Sequence, residues 1–209
     1  VLERDRITST MRELARTGLR YRSTVDVLDY WLSELARADD DALPDFDPIN
    51  VPRLLSFVYV LEREGNRMRY RVSGESVNQL FGSNHGGKCL DEVVPPAIYT
   101  KIAPFFLGVF ERVACIFKGH VILPDRGCME FERLLVPVDR GGAVQLLGSL
   151  ALSTTAVLQE RADLPPGAPQ GFNFTQVDLT TVRTIETAIP LDQLPVDDMP
   201  YESHHRLLA

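Results

Sequence analysis

The sequence predicts an α+β fold: a five-stranded antiparallel sheet with helices on one face, a helical segment before it and an extension after it. Three observations predict it. Two β-branched, aromatic runs follow each other at positions 54–73, and three more follow one another at 115–153. Within each group the connecting stretches are short and carry Asp and Gly, the chemistry of hairpin turns. Between the groups, apolar residues recur at helical spacing.

The elements follow in order. Met11, Leu14 and Ala15 begin an amphipathic stripe that breaks at Thr17-Gly18. Ser23 or Thr24 suits an N-cap, and Asp26 suits the first turn of a second helix. Val25, Leu28, Trp31, Leu32 and Leu35 then line one face of that helix. That face covers either its own domain's core or a second copy of the chain. The helix ends in the acidic stretch RADDDALPDFDP. LLSFVYVLE and MRYRVS, joined by REGNR, form the first hairpin. Gly74 ends the second strand, and Val77, Leu80 and Phe81 start a short helix that Gly82 closes.

Pro95 and Pro96 open a longer helix bearing Ile98, Ile102, Phe105, Phe106 and Val109, with Pro104 inside it as a kink. CIFKGHVIL, CMEFERLLVPV and AVQLLGSLALS complete the sheet, turning at PDRG and DRGG. Beyond position 155 prolines gather. FNFTQVDLT reads as a strand, VDLTTVRTIETAI as a short helix on Leu179, Val182, Ile185 and Ile189, and the last residues as extended or disordered. The organisation is therefore 1–43 helical, 44–154 the sheet domain and 155–209 an extension.

Composition restricts the function. The 209 residues are 44% hydrophobic, enough for a core. A net charge of −7 argues against a nucleic-acid or anionic-membrane surface, both of which need clustered Lys and Arg. No apolar run approaches the roughly 20 residues of a membrane span. No signal-peptide pattern appears, so the expected location is cytoplasmic. The chain starts at Val1, which leaves open what precedes it. Cys89, Cys115 and Cys128 have no CxxC spacing and read as small buried hydrophobes.

Six blocks in sequence carry a resemblance. LDYW, LPDFDPINVPRLLSFVYVLE, RYRVSGESVNQLFG, GGKCLDEVVPP, FERLLVPV and LLGSLAL resemble an alphaproteobacterial family of PAS domains from about Leu28 to Leu152. The family pattern is a Tyr-Trp pair on the N-terminal helix, a DP-x-x-x-P-x-LL entry, an R-x-x-G-x strand-to-helix turn, a G-x-x-L-x-E helix and an ER-L-L-x-P strand. The resemblance implies a non-catalytic module of bacterial signal transduction. Such a module binds a small molecule between sheet and helices, or binds partner proteins, a second copy included. No kinase, cyclase or DNA-binding pattern accompanies it.

The cofactor chemistry of such domains can be checked by residue. Flavin-adduct photosensors need an Asn-Cys-Arg context, and Cys89 sits in GGKCLDE. A haem sensor commonly uses a His on the longer helix, and 97–113 contains none. His85 and His120 read as surface residues and His204-His205 as tail, with no metal-ligand spacing. Haem, flavin and metal are thus disfavoured, and the ligand stays unnamed.

Alternation places Met129, Phe131, Arg133 and Leu135 beside Cys115, Phe117, Gly119 and Val121 on one face. With Tyr59, Arg71, Asn78, Phe81, Phe105, Phe106, Cys115 and Arg133 as lining candidates, that face is a ligand cleft or a filled core. A buried Arg there needs either a carboxylate of its own chain or an anionic ligand. The opposite face carries Arg69, Arg71, Lys118, His120, Glu130 and Glu132, a charged surface unless the N-terminal helix or a partner covers it. Leu28, Trp31, Leu32 and Leu35 are the candidates for a homodimer or signalling-partner contact. An enzyme built on Cys89 as nucleophile with His85 nearby is the remote alternative; no GxSxG, HExxH, Walker or GxGxxG motif is present.

Overall fold

The computed structural model describes residues 3–39, 41–81, 83–123, 127–153 and 171–190. Helices α1 (Arg4–Gly18) and α2 (Arg22–Arg37) come first. Strands β1 (Val58–Glu64) and β2 (Arg67–Ser73) form the first hairpin. Then come α3 (Glu75–Phe81), α4 (Leu90–Val93) and α5 (Pro96–Phe110), which runs on through Pro104. Strands β3 (Val113–Leu123), β4 (Gly127–Arg140) and β5 (Ala143–Leu152) complete the expected five.

The extension departs from expectation. FNFTQVD is a strand, β6 (Gly171–Asp178), but the segment read as a helix is β7 (Arg183–Pro190). The sheet is thus seven-stranded and antiparallel, ordered β2-β1-β5-β4-β3-β6-β7. The physical reason is local. Asp178 Oδ1 accepts from the Thr180 and Thr181 N–H groups at 2.8 and 3.2 Å, which fixes a tight turn. Thr184, Ile185, Thr187 and Ile189 are β-branched, so they favour the pleated sheet over a helix despite the helical spacing of the apolar ones. The tail beyond Pro190, and Gly82, lie outside the described residues.

Helices cover both faces of the sheet, not one. On the first face α1 and α2 pack Ile7, Met11, Leu28, Trp31 and Leu35 against Val58, Val60, Ile116, Leu134, Val136 and Leu147. On the second face α3, α4 and α5 pack Val77, Leu90, Ile102, Phe106 and Val109 against Leu61, Tyr70, Cys115, Leu135 and Leu146. The choice left open for Leu28, Trp31, Leu32 and Leu35 therefore falls to the chain's own core, where each is at most 2% exposed. The indole N–H of Trp31 donates to the Pro137 carbonyl at 2.8 Å.

The start of α2 is also held differently from the expected Ser or Thr cap. Glu132, expected on a charged surface, is 1% exposed. Its carboxylate accepts from the backbone N–H of Arg20 at 2.8 Å and of Tyr21 at 3.3 Å, the two residues leading into α2. Burial raises the Glu132 pKa, and these N–H groups oppose that rise. A carboxylate from β4 thus pins the α1–α2 connection to the sheet and faces the positive end of α2.

Candidate functional site

On the second face of the sheet, the residues expected to line a cleft pack into a buried cluster. Its chemistry centres on Arg133, which is 8% exposed and, among the described residues, the only buried Arg or Lys. The ER pair of β4 works by alternation: Glu132 points to the N-terminal helices and Arg133 to the cleft. The Arg133 guanidinium carbon lies 5.9, 6.0, 5.9 and 5.8 Å from the ring centroids of Tyr59, Phe106, Phe117 and Phe131. Four rings around one guanidinium form an aromatic cage in which cation–π attraction replaces part of the lost hydration.

Tyr59 lies across Gly148, its register partner on β5. A Cβ at Gly148 would fall 2.2 Å from the Tyr59 Cζ, so only glycine leaves room for the ring. Burial raises the Tyr59 pKa and the charge of Arg133 pulls against it. Tyr70 is 5.7 Å from Tyr59, and its pKa is also raised by burial. Cys115 faces the same cleft, and burial pushes its thiol up to about 12, so it is protonated at neutral pH.

Beyond Tyr70 lies His85, which the sequence placed on the surface. It is 1% exposed, its ring 5.4 Å from that of Tyr70. Burial first, then the charges of Lys88 and Arg133, push its pKa down to about 4 from 6.5. The folded chain thus prefers a neutral His85. Above about pH 6.5 its contribution to stability is complete. As the pH falls toward 4 the unfolded chain takes the proton first and stability is lost. The urea midpoint should fall across that window, and His85→Leu should flatten the decline. An equally steep decline in His85→Leu would refute the assignment.

The other candidates divide. Phe106 is fully buried in the cleft cluster. Phe105 is half-buried and stacks on Phe174 with ring centroids 3.5 Å apart; Phe174 stacks on Phe117 at 4.1 Å. Asn78 accepts from the Ser73 hydroxyl at 2.6 Å and from the His85 N–H at 3.2 Å, tying α3 to β2 and to the loop bearing His85. The Phe81 side chain lies outside the described residues, as do those of His120, Val121, Cys128 and Met129.

Arg71 is a correction: it is exposed and pairs with Glu62 at 3.3 Å. A bulge explains it. Val60 faces Val72 and Leu61 faces Tyr70, which leaves Arg71 as the extra residue of β2. The bulge also sends Val72 to the N-terminal-helix core rather than to the cleft with Met68 and Tyr70.

Cys89 stands at the start of α4, and its N–H donates to Glu92 Oε2 at 3.1 Å. Cys89, Asp91 and Glu92 bring their ligand atoms within 4.8 Å of one another. Arg67 already engages Asp91 at 2.9 Å and Glu92 at 2.6 Å, which makes the group an ion-paired helix start. Sequence reasoning missed Tyr70, His85 and Phe174 as cleft residues. Alternation with Met68 could have found Tyr70; nothing local marks the other two.

An antiparallel sheet with helices on both faces, and a polar centre set among aromatic rings on one of them, defines an α+β module. A family model for the PAS domain matches residues 19–151, and the chain belongs to that family. A comparison with curated proteins finds no match. No helix among the described residues is long and apolar enough to cross a membrane.

Proposed function

We propose that this PAS domain is a non-catalytic sensory module of bacterial signal transduction that holds a small organic anion against Arg133. The observation that carries the reading is the caged guanidinium: a permanent positive charge inside an apolar cluster, flanked by two buried tyrosines and a neutral histidine. Arg presents a planar donor fork that suits a carboxylate or phosphate, and the rings would clasp an apolar body. The non-catalytic part rests on the thiols: Cys89 serves the start of α4 and Cys115 is held protonated.

The signal passes to a protein partner. Because Leu28, Trp31, Leu32 and Leu35 are enclosed, that contact uses other surface. Native mass spectrometry of freshly purified protein tests the ligand. The expected result is a mass excess that disappears on denaturation and is absent from Arg133→Met. A native mass equal to the chain or twice the chain would overturn the ligand reading and leave a scaffold with a filled core.

A further inference from the structure

Between α3 and α4 the chain runs along the outer edge of β2 as a strap, residues 83–88. Its ends are fixed. At the first, the Ser83 N–H donates to the Asn78 carbonyl at 3.1 Å and the His85 N–H to Asn78 Oδ1 at 3.2 Å. At the second, Cys89 and Leu90 are buried. Between them the strap meets two residues of β2. The Gly87 N–H donates to the Tyr70 carbonyl at 2.8 Å, the Tyr70 N–H to the Lys88 carbonyl at 2.9 Å, and the Arg69 guanidinium to the Gly87 carbonyl at 2.5 Å.

His85 is the one buried residue of the strap; Ser83 is half-buried, and Asn84, Gly86, Gly87 and Lys88 are exposed. Gly87 takes φ +81°, a turn that suits glycine. One buried side chain and a few hydrogen bonds at a sheet edge mark a segment that opens at lower cost than the sheet or α5, which share a continuous apolar core. Behind the strap lies the buried cluster. The His85 ring is 5.4 Å from Tyr70, Tyr70 is 5.7 Å from Tyr59, and Tyr59 borders the Arg133 guanidinium at 5.9 Å.

We propose that the strap is a gate to this cluster: residues 83–88 come off β2 as a unit while the sheet stays paired, and a proton on His85 holds the gate open. The groups around the closed imidazole are Tyr70 of β2, Asn78 of α3, Lys88 of the strap and Arg133 of β4. Burial and the two positive charges disfavour imidazolium there, so the closed-state pKa falls to about 4 from 6.5. In the open strap the ring meets water and regains its ordinary value. The open form therefore takes the proton first as the pH falls below 6.5, and acid favours opening. Entry of a small anion to Arg133 by this route rests on the function proposed above; the opening itself does not.

Native-state amide hydrogen exchange of the full chain, read by NMR without added ligand, tests the gate. The Tyr70 and Gly87 amides report on the strap, because their hydrogen bonds cross between it and β2. The Leu135 amide, on central strand β4, reports on the sheet. At pH 7.5 Tyr70 and Gly87 should exchange alike and about a hundredfold or more faster than Leu135. From pH 7.5 to 5.5, corrected for intrinsic exchange rates, their opening should rise about tenfold. In His85→Leu that rise should vanish. Tyr70 and Gly87 amides as slow as Leu135 in the wild type would overturn the gate with no variant needed. Opening that ignores pH, or rises equally in His85→Leu, would overturn the role of His85. A native mass without ligand would instead refute the anion reading and leave the gate standing.

Discussion

Trp31→Ala should lower the stability of the chain by about 3–5 kcal/mol, the cost of emptying a large aromatic site in a packed core. The indole is fully buried among Leu28, Leu32, Leu35, Ile7 and Met11 and against the first sheet face. Its removal leaves a void that neighbours on a helix and on a paired sheet cannot close together. The Pro137 carbonyl, which accepts the indole N–H at 2.8 Å, loses its donor at the same time. Trp31→Phe should cost less, because it keeps most of the volume and gives up only the hydrogen bond, about 1–2 kcal/mol. Urea denaturation of both variants reads the difference, with an unchanged dependence on denaturant. If Trp31→Ala left the midpoint nearly unmoved but halved the molecular mass in solution, the residue would belong to a partner interface and not to the chain's own core.

That outcome matters because the sequence could not choose between the two. An amphipathic stripe shows that a face needs cover; it does not show which surface supplies the cover. The five central strands were legible because period-2 alternation and Asp- and Gly-containing turns agree with each other. Alternation also separated Glu132 from Arg133 correctly, though not their environments: Glu132 is buried under a helix junction that lies more than 100 residues earlier. Arg71 escaped because one bulge breaks the period without altering composition. Strand β6 was legible, but β7 escaped because its apolar residues fall at helical spacing by coincidence, although their β-branching favours a strand. His85 escaped because its burial depends on Tyr70 of β2 and on Asn78 of α3 holding its loop. Long-range contacts of this kind leave no local signature.

Gly148→Ala should destabilise the chain by about 2–3 kcal/mol, at the upper end of overpacking costs, because the added Cβ meets an aromatic ring instead of a flexible tip. The ring is Tyr59, 1% exposed, and its Cζ, Cε2 and Oη atoms would lie 2.2, 2.4 and 2.6 Å from the new carbon. Tyr59 cannot swing freely, since Tyr70 stands 5.7 Å to one side and the Arg133 guanidinium 5.9 Å to another. The variant must therefore push Tyr59 into the cage or part β1 from β5. A double-mutant cycle separates this steric cause from a backbone effect. Tyr59→Ala alone should cost about 3–5 kcal/mol, but in that background Gly148→Ala should be nearly neutral, a coupling of about 2–3 kcal/mol. Additive losses would mean that glycine is needed at 148 for its backbone and that Tyr59 can relocate. The cycle bears on function as well. If Gly148→Ala displaces Tyr59, it alters the group beside Arg133 without touching Arg133 itself. If a ligand copurifies with the chain, its loss from Gly148→Ala, with the fold retained, would place it in the space Tyr59 borders.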